Sequence, residues 1–430
     1  MRSQGFRWPR VVAAMSAVAA LLLVAGCESG SARASAAPSN VLGPGITHTQ
    51  FGAIDGDPQA ANQIAAALAA QPMPQVQHIM GFGTVNPEPS PGRYDFASLD
   101  ARMDFIRRSG GTPVITLCCA PDWMKGGAEG ATDWSRLEVA PEPEHYQDFA
   151  DLAAEISRRY PDVHHFQVWN EFKGFFNEQT KTWDGPAYTD LYNRVYDALK
   201  EVDPGNQVGG PYIEMTAPPP GVDTGPSELT GPWGLVDQRI LDAFDYWNQN
   251  KNGADFVVVD GHATTEEGAP DDVTALSKIA DVNRWIQGRT SLPLWWAEWY
   301  VEPDAARWPP EKRLAQRAAG LVEFARSGVA TSFYWNAARN AGSPTGLWTS
   351  PSAPGGGQPE PFLATLQEFA RQFPPGAPVA GVGVAPPVFG ARGPRATVLV
   401  NTSDAPVTAA VEGADVELGP YEVRWVPAGV

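Results

Sequence analysis

The 430 residues, 43% of them hydrophobic with 15 Trp, are enough for one large α/β domain with a small appendage and aromatic surface to spare. A formal charge of −18 excludes nucleic acid as the expected partner, because a phosphate backbone has to be met by Lys and Arg. It fits a soluble, acidic exterior and says nothing about fold.

In chain order, Arg2, Arg7 and Arg10 precede an apolar run from Val11 to Val24, followed by Ala25-Gly26-Cys27. This is the architecture of a secretory signal, and the run falls short of the ~20 residues that a membrane span needs. Val24-Ala25-Gly26-Cys27 resembles the lipobox of bacterial lipoproteins. The resemblance implies a signal peptide over residues 1–27 and acyl chains on Cys27 that hold the protein on the outer face of the cell membrane. Residues 28–44 are small, polar and Pro-containing, and read as a flexible tether.

Next come eight apolar strand-like runs, near 46–52, 76–82, 113–119, 163–170, 206–213, 255–262, 292–298 and 330–336. Amphipathic helical stretches alternate with them, among them Tyr146–Tyr160, Tyr188–Val202, Glu311–Arg326 and Phe362–Phe373. Eight strand–helix units over residues 45–375 predict an α/β fold, a (β/α)8 TIM barrel. Cys118-Cys119 end the third run and read as small core residues, since a bridge between neighbours strains so short a loop. The alternative is a vicinal disulfide. From 376 to 430 the chain turns rich in Val, Pro and Gly, with alternating runs at Ala396–Val400, Val407–Val411 and Tyr421–Val426. These predict a small antiparallel β domain packed on the barrel.

Two glutamates stand out against this frame. Glu171 closes the fourth run in Trp169-Asn170-Glu171, and Glu298 closes the seventh in Trp295-Trp296-Ala297-Glu298. Strand C-termini of a TIM barrel carry the catalytic groups, and two carboxylates facing one cleft suit cleavage of a glycosidic bond. Glu178, Glu214, Glu266, Glu267 and Glu302 sit in the same loops and compete for the roles. Trp123, Trp183 and Trp348 offer ring faces on which a sugar could stack. No Cys or His cluster has metal-ligand spacing, and neither a metal nor an organic cofactor is expected.

With the strands in place, the chain resembles glycoside hydrolase family 39, a family of retaining barrel enzymes. The likeness rests on Gly92-Arg93-Tyr94-Asp95-Phe96, on Pro113–Met124, and on Gly209-Gly210-Pro211. It also rests on Asp255-Phe256 leading to His262, on Tyr334-Trp335, and on the two glutamates. It implies Glu171 as acid/base, Glu298 as nucleophile and Asn170 as the contact to the sugar 2-hydroxyl. Trp335, beside Tyr334, would be a sugar platform, and His262 a polar contact near the nucleophile. Phe172 stands where the family has Pro, and Gln77 or His78 where it has an Arg. The expected activity is retaining hydrolysis of extracellular or cell-surface glycans, of the β-xylosidase kind or related. The scheme asks for a raised pKa at Glu171, helped by the charge of Glu298. The rivals are a non-catalytic carbohydrate-binding lipoprotein and a transglycosylase using the same two glutamates.

Overall fold

The computed structural model describes residues 39–49, 52–219, 221–263, 271–303, 307–335, 338–339, 346–411 and 413–428. The signal segment with Cys27, residues 28–38 of the tether, and Glu266 and Glu267 lie outside them. Eight parallel strands close into a barrel in sequential order. They are β1 (Gly43–Thr47), β2 (Pro74–His78), β3 (Thr112–Leu117), β4 (His165–Val168), β5 (Gln207–Glu214), β6 (Phe256–His262), β7 (Leu294–Tyr300) and β8 (Thr331–Tyr334).

Eight principal helices follow the strands: α1 (Pro58–Ala69), α2 (Ala97–Arg108), α3 (Tyr146–Arg159), α4 (Gly185–Val202), α5 (Gln238–Asn250), α6 (Ser277–Gln287), α7 (Pro310–Arg326) and α8 (Pro361–Gln372). Their starts obey local chemistry. Asp57 accepts the N–H of Gln59 ahead of Pro58, and Asp184 accepts that of Ala187. Strand pleating sorts the side chains. Val76, Val114, Phe256, Val258, Trp295, Ala297 and Phe333 fill the barrel interior, while Trp296 and Trp299 face outward against Phe324 of α7.

Beyond the barrel, antiparallel strands β9 (Ala380–Gly381), β10 (Val388–Arg392), β11 (Ala396–Asn401) and β14 (Val423–Pro427) form one sheet, and β12 (Val407–Val411) pairs with β13 (Ala414–Leu418). Trp425 of β14 packs on Phe369 and Phe373 at α8, which ties this sheet to the barrel wall.

The unbridged reading of Cys118-Cys119 is corrected. Both are buried, as expected of core residues, but their sulfurs are joined. The peptide bond between them is cis, with the two Cα atoms 2.9 Å apart.

Candidate active site

Irregular pairing at the C-terminal ends of β5, β6 and β7 aims side chains into the barrel mouth. Between Trp296 and Trp299, β7 carries two residues where β6 and β8 each carry one, so Ala297-Glu298 form a bulge. The bulge turns Glu298 inward, next to the inward-facing Ala297. On the other flank β5 carries Tyr212 as an extra residue between Pro211 and Ile213, at φ 51°. The Tyr212 hydroxyl donates to Glu298 Oε1 at 2.9 Å. Between them Asp260 continues the inward row of Phe256 and Val258 along β6.

Glu171 comes from the turn after β4. Trp169, Glu171 and Phe172 all adopt positive φ, a conformation costing on the order of 1–3 kcal/mol each for residues with a Cβ. Aromatic packing pins the turn. Phe172 stacks on Tyr188 at 4.1 Å, Trp169 meets Phe149 and Phe175, and the Trp169 indole donates to Lys173 O at 2.7 Å. The Phe172 that departs from the family pattern is thus a buried anchor of this turn.

The residues converge as follows. Glu171, Asp260 and Glu298 each bring a carboxylate oxygen within 4.8 Å of the others. Asn170 donates weakly to Glu171 Oε2 at 3.4 Å, and its Oδ1 faces His78 Nε2 at 3.2 Å. Burial pulls the His78 imidazole down to about 4, so it is neutral at physiological pH, and Nε2–H is the donor that fixes the Asn170 amide. Lys173 Nζ lies 2.5 Å from Glu171 and 2.8 Å from Glu138.

Charge is distributed unevenly over the three acids. Burial and the negative charge of Glu171 push Glu298 well above the ordinary carboxylate range, against the pull of Tyr212. Burial, then Glu171 and Glu214, push Asp260 up strongly. Burial also acts on Glu171, but a hydrogen bond from Asp260 and the Lys173 ammonium outweigh it and hold Glu171 below its usual value. The expected raised pKa of Glu171 is therefore corrected for the substrate-free protein, because Lys173 and Asp260 favour its charged form. Three oxygens this close could also grip a cation, and they are the group among the described residues that could; Lys173 already neutralises one of the charges.

Two further expectations meet the pleat. His262 lies buried at the mouth on the same face as Asp260, stacking at 5.3 Å on Tyr300, which also packs against Trp335 at 5.8 Å. Tyr334 is not brought to the mouth. One residue out of phase with Phe333 and Trp335, it points outward, fully buried edge-on to Trp299 and Phe362. Trp123 spends its indole N–H on Glu88 O and packs on His145 in the loop after β3. Of the competing glutamates, Glu302 is locked to Arg317 at 2.5 Å, and Glu178 pairs with Lys181 on the surface. Glu214 lies close enough to Asp260 and Glu298 for its charge to raise both.

Asp260 and Lys173 were missed. The available signal was an acidic residue directly after an apolar run, Phe256-Val257-Val258-Val259-Asp260, where a charge is costly without a reason.

Residues 86–329, more than half of the chain, match the family model "Glycosyl hydrolases family 39". The chain belongs to glycosyl hydrolase family 39. It is a glycosidase hydrolysing O-glycosyl bonds, which replaces the reading as a non-catalytic sugar-binding protein. The family 39 fold recurs in solved structures. A monomeric β-xylosidase from Caulobacter crescentus CB15 is 20% identical, with a TM-score of 0.54 over 84% of this chain and 73% of that one. A glucosidase from Croceicoccus marinus is 14% identical, with a TM-score of 0.55 over 88% and 80%. A family 39 enzyme from Xanthomonas axonopodis pv. citri is 18% identical, with a TM-score of 0.52 over 84% and 70%. At these identities the likeness carries the fold alone. No curated protein sequence matches the chain.

Proposed function

We propose that this family 39 glycosidase acts by double displacement with retention, on extracellular or cell-surface glycans. Glu298 attacks the anomeric carbon while Glu171 protonates the departing oxygen, giving a glycosyl ester on Glu298. Water then attacks the ester, Glu171 takes the water proton, and the Glu298 carboxylate is freed. Asn170 would hold the sugar 2-hydroxyl, and Trp335 with His262 and Tyr300 would form its aromatic wall. The observation that supports retention is the spacing. One carboxylate oxygen of Glu171 lies within 4.8 Å of one of Glu298, compatible with the ~5–5.5 Å between the carboxyl groups of retaining pairs.

A β-xyloside is the first substrate to try, following the Caulobacter neighbour, within a panel of aryl glycosides and cell-surface polysaccharides. The leader motif supports export and a lipid anchor on Cys27. The test separates the glutamates. Glu298→Ala should lose activity on every substrate, with azide then giving a glycosyl azide of inverted configuration. Glu171→Ala should spare activated aryl glycosides and give an azide of retained configuration. Equal leaving-group dependence in both variants, with no response to azide, would overturn the assignment.

A further inference from the structure

Asp260 is the unexplained member of the site. It is 2% exposed, its Oδ1 has no hydrogen-bond partner, and no cation contacts it among the described residues. Its neighbours are Glu214 and Tyr212 from β5, Glu298 from β7, and Glu171 with Lys173 from the turn after β4; His78 of β2 stands behind, through Asn170. If its task were only to hold Glu171 by a hydrogen bond, an asparagine would do so without burying an ionisable group among three other acids. What a carboxyl adds is a proton it can give away and take back.

We propose that Asp260 is a positioning and proton-sharing residue for Glu171, storing at rest the proton that Glu171 delivers to the leaving group. The proposal rests on the acid/base role given to Glu171 above. At rest the Asp260 hydroxyl donates to the Glu171 carboxylate, which Lys173 keeps ionised. When substrate binds, one proton crosses that hydrogen bond. Asp260 becomes the carboxylate and Glu171 the neutral acid, with no change in the net charge of the site. Glu171 then gives the proton to the glycosidic oxygen as the C–O bond breaks and Glu298 forms the ester. In the second half, water gives a proton to Glu171 as it displaces Glu298, and the proton returns to Asp260. Chemistry in this arrangement needs no proton from bulk solvent at the moment of cleavage. Burial and the surrounding acids favour the protonated form of Asp260.

The experiment compares Asp260→Asn and Asp260→Glu with wild type in the full-length protein. kcat/KM is followed against pH on aryl glycosides of graded leaving-group ability. The amide keeps the hydrogen bond to Glu171 but fixes it in the ionised form. The basic limb of the profile should move to lower pH. Poor leaving groups should lose on the order of tenfold or more while dinitrophenyl glycosides lose little, and Asp260→Glu should restore the limb. An unmoved basic limb, with the same loss for every leaving group, would overturn the proposal, since a purely structural role slows all substrates alike. Should the amide variant not fold, wild type labelled at its aspartate carboxyl carbons decides by NMR. One protonated aspartate carboxyl at pH 7 supports the proposal, and a fully ionised set overturns it. Failure of the Glu171→Ala test would strike the acid/base assignment. A normal Glu171→Ala result with an unmoved Asp260→Asn profile strikes Asp260 alone.

Discussion

Tyr212→Phe removes one hydroxyl from a fully buried side chain and one hydrogen bond, the 2.9 Å donation to Glu298 Oε1. The ring, the bulge and the positive φ of residue 212 can all stay. A hydrogen bond to a charged group is worth about 1.5–3 kcal/mol, and each ~1.4 kcal/mol is a tenfold change in rate. The variant should therefore lose roughly 10- to 150-fold in kcat/KM where the nucleophile is only partly ionised. The direction with pH follows from the same bond. Tyr212 stabilises the charged form of Glu298 and lowers a pKa that burial and Glu171 have raised. Without it that pKa climbs further, so the acid limb moves to higher pH. The deficit should be greatest below the optimum and shrink as pH rises. The assay is kcat/KM on an activated aryl glycoside from acid to alkaline pH, with thermal melting as a control for the fold. A profile superimposable on wild type would refute the reasoning, as would a uniform loss with no shift of the acid limb.

Lys173→Met removes the ammonium that holds Glu171 ionised, so the basic limb of kcat/KM should move to higher pH, opposite to the shift expected for Asp260→Asn; a shift to lower pH would contradict the charge assignment. Cys27→Ser should abolish acylation and release the protein from membranes, and mass spectrometry that finds an unmodified N-terminus beyond residue 27 in wild type would end the anchor proposal.

The barrel was readable because each strand is a short apolar run bounded by turn residues, and every observed strand lies at or beside its expected run. The helices beginning at Tyr146 and Pro310 start within a residue of expectation, since their amphipathic patterns are long and flanked by loop chemistry. Glu171, Asn170 and Glu298 were legible as candidates because strand ends are where a barrel exposes its groups. What stayed hidden depends on half-turns of the chain that apolar patterns do not encode. The Ala297-Glu298 bulge and the extra Tyr212 shift register by one residue and bring Asp260 between the glutamates. Tyr334 and Trp335 are adjacent in sequence but face opposite sides of the sheet, so only Trp335 joins Tyr300 and His262. The electrostatics were misjudged because Lys173, two residues after Glu171, folds back onto it through a turn of left-handed residues that no periodicity reveals.

The central claim is a covalent intermediate on Glu298 formed with the help of Glu171. It is tested most directly by trapping. The 2-deoxy-2-fluoro analogue of whichever aryl glycoside the enzyme cleaves, carrying an activated leaving group, should inactivate it with one sugar attached per protein. Peptide mapping by mass spectrometry should place that sugar on Glu298. A label on Glu171, Asp260 or Glu214 instead, or turnover of the analogue to a product of inverted configuration without any adduct, would contradict the account.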